Sequence, residues 1–344
     1  MQEPSINEIA KALVDEHIAR MSRSHKSNFR DFVVEYSKTL GYEAKVDDCF
    51  LAKNVIVGDL KKAKIVLTAH YDTPPNLPFN FVKKQAVGLG VGSLALAGLG
   101  LIFTDLALKN GSPQMIESAM NVAKGIAAIP TLAMAGSTGL ALYSMGLLGG
   151  ENKNNYDDNT SGVLTLITLM NYYKSLPPEQ RDEIAFVFFD NEEKGLFGSL
   201  CHRVKHLKKC KNQQFLNFDC VGVGKNVNVF HTGNEKSPLI ENITEGFCET
   251  ISRAGYTFNV KKSTINSVSD HYSFVGTGGN VTILCDDIGD DITNHIHSKK
   301  DNTLDLDRIS GISEMTAVAI DNMMGYKGLD RGVFSFSGKL CAEK

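Results

Sequence analysis

The stretch EIAFVFFDNEEKGLFGS, residues 183–199, places two adjacent glutamates shortly after a run of apolar residues. A short run rich in Ile, Val and Phe is typical of a strand that is buried on both faces of a parallel sheet. Burying a carboxylate at such a strand end costs free energy unless the carboxylate is paired or binds a metal ion. Glu192 and Glu193 therefore indicate a polar site at the edge of a buried sheet.

Similar apolar runs recur along the chain and alternate with helical segments. Four runs predict buried strands, at residues 64–70, 183–189, 215–219 and 281–286. Apolar residues at helical spacing predict two helices within residues 5–40, and a further helix at 161–176 that stops at Pro177. This alternation predicts an α/β fold with a mixed, mostly parallel sheet flanked by helices.

Composition and charge narrow the class of protein. The chain has 344 residues, enough for a large core, and its formal charge of −3 gives no reason to expect nucleic-acid binding. Its one dense basic run, HRVKHLKKCK at 202–211, is interpreted as a solvated helix face. The seven cysteines form no C-x-x-C pair, and the N-terminus lacks the apolar core of a secretory signal. We therefore expect the catalytic domain in the reducing cytoplasm and not among secreted proteins.

One region departs from the alternating pattern. Residues 85–104 are 20 residues without a charge, and residues 125–150 are 26 more. Twenty apolar residues are enough to cross a bilayer, and both runs are rich in the small residues of packed membrane helices. Two interpretations stay open: a membrane hairpin that contacts lipid and anchors the domain, or a lid or arm that joins a homo-oligomer. Either way, residues 85–150 are predicted to be an apolar helical-hairpin insertion into a catalytic domain formed by 1–84 and 151–344.

Acidic and imidazole side chains follow the predicted strands or begin helices. They are His70, Asp72, Asp157, Asp158, Glu192, Glu193, Asp219, His297 and Asp301. Open α/β sheets place their sites at the carboxyl ends of strands, so we expect these side chains to converge on one crevice.

The chemistry of this set favours a metal centre. Mixed imidazole and carboxylate ligands suit zinc. Two metals about 3.5–4 Å apart need a carboxylate to bridge them, and another carboxylate must stay free to take a proton from a water. A ligating histidine also needs a carboxylate to fix its tautomer. Asp72 beside His70 and Asp301 beside His297 are candidates for that role.

Six motifs, in chain order, resemble those of the di-zinc aminopeptidase family. They are AHYDT, DDNTSG, EEKGLFGS, NFDCVG, SDHYSF and IHSKKDNT, within residues 50–75 and 150–310. That family includes bacterial leucyl aminopeptidases and is related to glutaminyl cyclases and glutamate carboxypeptidases. The resemblance implies a zinc-exopeptidase-like fold, two Zn²⁺ ions and a peptide substrate that loses its N-terminal residue. Co²⁺ or Mn²⁺ can occupy the same kind of ligands.

The resemblance also implies a role for each residue of the set. Glu192 resembles the general base that activates a metal-bridging water. Asp158 resembles the bridging carboxylate, and Asp157 is then only its neighbour. The implied metal ligands are His70, Asp158, Glu193, Asp219 and His297.

One departure from the family and two rival activities bear on the substrate. Some members carry a Tyr two residues before the Asp-His of SDHYSF, where this chain has Val268. His231, His271 and Tyr272 are candidates to polarise the carbonyl instead. The first rival is a glutaminyl-cyclase-like zinc acyltransferase, disfavoured because the chain has no tryptophan. The second is a carboxypeptidase or deacylase of the same superfamily, which needs a basic residue facing the substrate carboxylate.

Overall fold

The computed structural model describes residues 3–49, 52–74, 151–233, 235–264, 267–277, 279–287 and 295–342. The described parts of residues 1–73 and 152–344 form one compact unit. The predicted insertion, residues 85–150, lies outside the described residues, so its form and its boundaries stay predictions. Of the helices that the structure describes, none is both long enough and apolar enough to span a membrane.

The described part of the chain alternates strands and helices. The strands are β1 (Ala44–Cys49), β2 (Ala52–Val57), β3 (Ile65–His70), β4 (Ile184–Phe189), β5 (Gln214–Phe218), β6 (Asn226–His231), β7 (Thr257–Lys262), β8 (Gly279–Asp286), β9 (Thr303–Asp305) and β10 (Lys339–Cys341). The α-helices are α1 (Ile6–His17), α2 (Arg23–Thr39), α3 (Gly162–Tyr173), α4 (Pro178–Arg181), α5 (Phe197–Lys205), α6 (Leu207–Cys210), α7 (Pro238–Glu249) and α8 (Leu306–Met324). The four predicted strands and the three predicted helices are all present.

Strands β1 to β8 form one sheet in the order β1-β2-β4-β3-β5-β8-β6-β7. Its four central strands, β4, β3, β5 and β8, are parallel to one another. Antiparallel pairs join β1 to β2, β2 to β4 and β6 to β8. The predicted mixed, mostly parallel sheet is therefore confirmed, and the carboxyl ends of the four central strands share one edge, called here the carboxyl edge.

The core lies on both faces of this sheet, as the continuous apolar runs require. In β4, Phe186 and Phe188 pack into one hydrophobic cluster, while Val187 and Phe189 pack into another on the opposite face. Successive side chains of a strand point to opposite faces, so a strand covered on both sides is apolar at every position. All six residues of β4 are buried. The polar residues after Phe189 are the first that can reach the carboxyl edge.

Candidate metal centre

His70 is the last residue of β3, the strand that lies between β4 and β5 in the sheet. Its side chain is buried, and Nδ1 lies 3.1 Å from the backbone oxygen of Asp72. A proton on Nδ1 would be donated to that oxygen, which leaves the lone pair of Nε2 free. Nε2 faces Asp158 Oδ1 at 3.3 Å and Asp219 Oδ1 at 3.5 Å. His70 is thus oriented as a ligand beside two carboxylates.

Asp158 lies in a kinked segment, Tyr156–Ser161, that leads into α3, and its own backbone is non-helical. Its two oxygens face different histidines, because Oδ1 lies 3.3 Å from His70 Nε2 and Oδ2 lies 2.8 Å from His297 Nε2. His297 Nε2 also lies 3.2 Å from Glu193 Oε1. Asp158 therefore joins two groups, the first completed by Asp219 with His70 and the second by Glu193 with His297. Within each group the ligand atoms lie within 4.8 Å of one another.

The geometry of both groups fits a divalent metal such as zinc. Zinc bonds to nitrogen and oxygen of about 2.0–2.2 Å in tetrahedral arrangement put ligand atoms about 3.3–3.5 Å apart. Three of the four contacts, at 3.2, 3.3 and 3.5 Å, are close to that spacing. Asp158 Oδ1 and Glu193 Oε1 are buried without a hydrogen bond from any described residue. Buried carboxylate oxygens that face only imidazole nitrogens are what a bound cation would satisfy.

The pKa values of the two histidines also indicate a site for a cation. Burial disfavours their charged forms, but Asp158 and Asp219 outweigh burial at His70 and raise its pKa well above the ordinary value. Burial is likewise outweighed at His297 by Glu193 and Asp158, which raise its pKa. The excess of negative charge attracts a cation, and a divalent ion can take the place of the protons.

Glu192 lies beside these groups without belonging to the pair that Asp158 joins. Its backbone N–H donates to Asp72 Oδ1 at 2.9 Å. Its carboxylate lies within 4.8 Å of His70 and Glu193. Burial raises the pKa of Glu192 well above its ordinary value. The negative charges of Glu193 and Asp219 add to this shift, and the charge of His70 opposes it. A carboxylate with a raised pKa beside a metal-binding group is suited to accept and return a proton.

The two predicted supporting carboxylates contact backbone atoms. Asp72 Oδ1 accepts the Glu192 N–H and lies 3.7 Å from His70 Nδ1. Asp301 accepts the N–H of Asp157 at 2.6 Å and the N–H of Asp158 at 3.0 Å. Asp301 thus holds the backbone of Asp158 across 143 residues of sequence. Its predicted role beside His297 stays a prediction.

The carboxylate of Asp157 contacts residues that are not among the proposed ligands. It accepts the N–H of Gly222 at 2.7 Å and lies 3.0 Å from His295 Nε2. A β-carbon on Gly222 would come within 2.8 Å of Ser161, so only glycine permits this approach. Asp157 thus contacts Gly222 and His295, and its lack of a ligand role stays a prediction.

Three charged residues near the centre received no role from the sequence. Asp270 is buried, and burial and the charges of Asp72 and Asp219 raise its pKa to about 7 against the attraction of His70. Lys26 lies 2.6 Å from Asp190, where the loop with the two glutamates begins. Arg20 is buried, and its guanidinium donates to Thr160 Oγ1 at 3.1 Å and to the backbone oxygens of Tyr71 and His17.

Their partners explain why the sequence gave no signal. Lys26 lies in α2 and Arg20 lies in the connection between α1 and α2, and neither belongs to a recognisable motif. Their contacts lie 51 to 164 residues away, apart from His17. Asp270 stands inside SDHYSF, a motif already noted, and its position directly before His271 was the available signal.

The candidate carbonyl-polarising residues each hold one hydrogen bond elsewhere. Tyr272 donates to the backbone oxygen of Thr264 at 3.0 Å, and His231 Nδ1 lies 2.9 Å from the oxygen of Gly233. His271 Nε2 lies 2.8 Å from Ser263 Oγ. Burial, opposed by the charge of Asp219, lowers the pKa of His271 to about 4, so its ring is neutral near pH 7. His271 alone of the three is buried with a ring nitrogen, Nδ1, that has no hydrogen-bond partner among the described residues.

Comparison with known proteins agrees with this fold. The model of peptidase family M28 matches residues 148–321. No curated protein sequence matches the chain. The LapA aminopeptidase of Legionella pneumophila is 12% identical, with 94% of this chain and 72% of that chain covered and a TM-score of 0.57.

Two further solved structures share the fold at similar distances. LapB of Legionella pneumophila is 15% identical, covering 95% of this chain and 73% of that chain, with a TM-score of 0.55. The glutaminyl cyclase of Macrostomum lignano is 12% identical, covering 95% of this chain and 91% of that chain, with a TM-score of 0.54. At these identities the likeness establishes the fold alone.

Proposed function

The chain belongs to peptidase family M28, and from this premise we propose that it is a zinc-dependent aminopeptidase that removes N-terminal residues from peptides. The observation that carries the proposal is the pair of ligand groups joined by Asp158, whose two oxygens face His70 and His297 at 3.3 and 2.8 Å. A hydrolase that uses two metal ions needs such a shared carboxylate.

The proposed ligands divide between two Zn²⁺ ions. His70 and Asp219 would hold one ion, Glu193 and His297 the other, and Asp158 would bind both. When bound, the ions supply Lewis-acid polarisation of the scissile carbonyl and a lowered pKa for the attacking water. Asp301 keeps Asp158 in place through the N–H groups of residues 157 and 158.

Glu192 is the proposed general base. The hydrogen bond from its N–H to Asp72 fixes the start of the loop, so its carboxylate stays beside His70 and Glu193. Its raised pKa suits a group that takes a proton from the attacking water and gives it to the leaving amine. The buried ion pair of Lys26 with Asp190 holds the same loop two residues earlier.

The charge of the crevice suits a substrate with a free α-amino group. Asp158, Glu193, Asp219, Glu192 and Asp270 all have carboxylates that act on His70 or its partners. When fully ionised, they exceed the four positive charges of two zinc ions. An ammonium group is attracted by the remaining negative charge, whereas a substrate carboxylate is repelled. This argues against the carboxypeptidase alternative.

The test is a substrate panel with the full-length chain loaded with Zn²⁺. Aminoacyl-p-nitroanilides with a free amino group should be cleaved, and their N-acetylated counterparts should not. Elemental analysis of the desalted protein should show at least two zinc ions per chain.

Each rival has its own outcome in this panel. Release of ammonia from an N-terminal glutaminyl peptide without hydrolysis would establish the cyclase activity. Cleavage of N-acetylated or C-terminal substrates in preference would establish the deacylase or carboxypeptidase. Either result would overturn the aminopeptidase proposal.

A further inference from the structure

A second group of histidine and carboxylate side chains lies outside the proposed active centre. It consists of Asp47 on β1 with His202 and His206, and is called here the Asp47 cluster. His202 is in α5 and His206 directly follows its last residue, so the two rings are four positions apart on one helical face. The ligand atoms of all three lie within 4.8 Å of one another.

His202 is the member that points to a ligand. It is fully buried among the rings of Phe189, Phe215 and Phe274, and neither of its nitrogens has a hydrogen-bond partner among the described residues. Buried polar side chains nearly always have a partner, so one left without any calls for an explanation. Its ring centre lies 4.7 Å from that of His206.

Asp47 and His206 complete the group, and both side chains are slightly exposed to solvent. Asp47 Oδ2 lies 3.1 Å from His206 Nε2, and the side chains of Asp47 and His206 are 8% and 12% exposed. The other oxygen of Asp47 contacts the ammonium of Lys205, whose side chain is 43% exposed. Lys205 is therefore a partly solvated cation at the place where a metal would compete for Asp47.

We propose that Asp47, His202 and His206 bind one divalent transition-metal ion of the Zn²⁺ class, separate from the active centre. Two imidazoles and one carboxylate are a ligand set that zinc accepts, with water in the remaining position. The ion would tie the edge strand β1 to α5, the helix that begins just after the loop with Glu192 and Glu193.

The protonation state of His202 is compatible with such an ion. Burial, followed by the nearby charge of His206, lowers the pKa of His202 to about 3. The ring is then neutral at pH 7, as a metal ligand must be, and no proton has to be displaced from it.

The test uses full-length protein stripped with a chelator and titrated with Zn²⁺ alone. We expect His206→Gln and Asp47→Asn each to bind one equivalent of zinc per chain fewer than the wild type. Each variant should also lose part of the zinc-dependent rise in Tm. Because the readout is the difference between wild type and variant, it holds whatever the active centre binds.

Lys205→Gln should change the zinc affinity of the cluster in the opposite direction, because it removes a positive charge beside Asp47. Removing a partly exposed competing charge should tighten binding of that same equivalent by about twofold to fivefold. If the cluster is only a salt-bridge network, His206→Gln will bind as much zinc as wild type, and Lys205→Gln will leave zinc affinity unchanged. Either of those results would overturn the proposal.

Discussion

The proposed active centre and the Asp47 cluster contain the same kinds of side chain in opposite surroundings. At the carboxyl edge, carboxylates enclose His70 and His297 and raise the pKa of both rings despite burial. In the Asp47 cluster, phenylalanine rings enclose His202, and burial lowers its pKa to about 3. Residue type alone therefore does not determine what a histidine does. The balance between burial and neighbouring charge decides whether it takes a proton or stays neutral.

The largest expected effect comes from Glu192→Gln, which removes the proposed base at the active centre. General bases contribute about 10²–10⁴-fold, so kcat/KM should fall by that factor while zinc content is unchanged. Glu193→Gln should instead lower zinc content, because Glu193 lies 3.2 Å from His297 as a proposed ligand. Steady-state kinetics and elemental analysis of both variants measure these two effects separately.

A matched control is Glu179→Gln, which changes an exposed glutamate of α4 in the same chemical way. It should behave as wild type in both assays. The role assignment would be wrong if Glu192→Gln lost zinc and Glu193→Gln kept it. In that case Glu192 is the ligand and Glu193 is the base.

A smaller effect is expected from Asp301→Asn. The wild-type carboxylate accepts two N–H groups, from Asp157 and Asp158, and an amide retains only one acceptor oxygen. Groups that orient metal ligands typically change metal affinity by about 10–100-fold when replaced. Zinc titration should show weaker binding at the active centre, and excess zinc should restore kcat.

The partly exposed carboxylate of Asp182 offers the control for this change, since it pairs with the surface ammonium of Lys62 and is not one of the residues of the proposed centre. Asp182→Asn should leave zinc affinity unaltered. Equal zinc affinity of Asp301→Asn and wild type would show that the backbone holds Asp158 without Asp301.

The sequence could indicate which side chains come together at the proposed centre because its signals there are local. His70, Glu192 and Asp219 each end or follow an apolar strand, and strands of a parallel sheet bring their carboxyl ends to one edge. The supporting contacts are not local. Asp301 meets the backbone of Asp158 across 143 residues, and Lys26 meets Asp190 across 164. No periodicity encodes such pairings.

The Asp47 cluster was missed for a related reason. It lies partly within the basic run 202–211, which was interpreted as a solvated helix face. Lys205 and Lys208 are indeed exposed, but His202 and Cys210 are buried. A charged helix can bury the side that packs on the core. The many lysines of this run made the buried side hard to recognise in the sequence.

The opposite pKa shifts lead to a prediction about pH in metal-free protein. The unfolded chain binds a proton on His202 below about pH 6.5, whereas the folded chain does not until about pH 3. The unfolding free energy should therefore fall as the pH is lowered through this window, by about 1.4 kcal/mol per pH unit for one histidine. Chemical denaturation at several pH values in the presence of a chelator measures the slope.

His202→Phe isolates this contribution, because it keeps an aromatic ring among Phe189, Phe215 and Phe274 and removes the titrating group. The slope of the unfolding free energy against pH should decrease by the contribution of one proton, about 1.4 kcal/mol per pH unit. His271, whose pKa burial lowers to about 4, keeps contributing in the same window. Identical slopes in the wild type and the variant would show that His202 is hydrated or protonated in the folded protein, and the contrast between the two clusters would not hold.

The smallest effect on catalysis is expected from the insertion, residues 85–150. We propose that it forms two membrane helices with the catalytic domain on the cytoplasmic side. Lys83 and Lys84 precede the first apolar run, as the preference for positive charge on that side requires. An even number of spans returns the chain to the side it left, so residues 70 and 158 can share one centre.

Replacing 85–150 with a Gly/Ser linker therefore separates anchoring from catalysis. The full-length chain should stay with membranes through a carbonate wash, while the linker variant should be released with kcat/KM and zinc content unchanged. Release of the full-length chain would favour the lid or oligomerisation arm. A lid beside the centre should alter KM for long peptides, because the insertion begins soon after Asp72 and ends shortly before Asp158. Zinc binding by the Asp47 cluster should be the same in both proteins, since none of its three residues belongs to or adjoins the replaced segment.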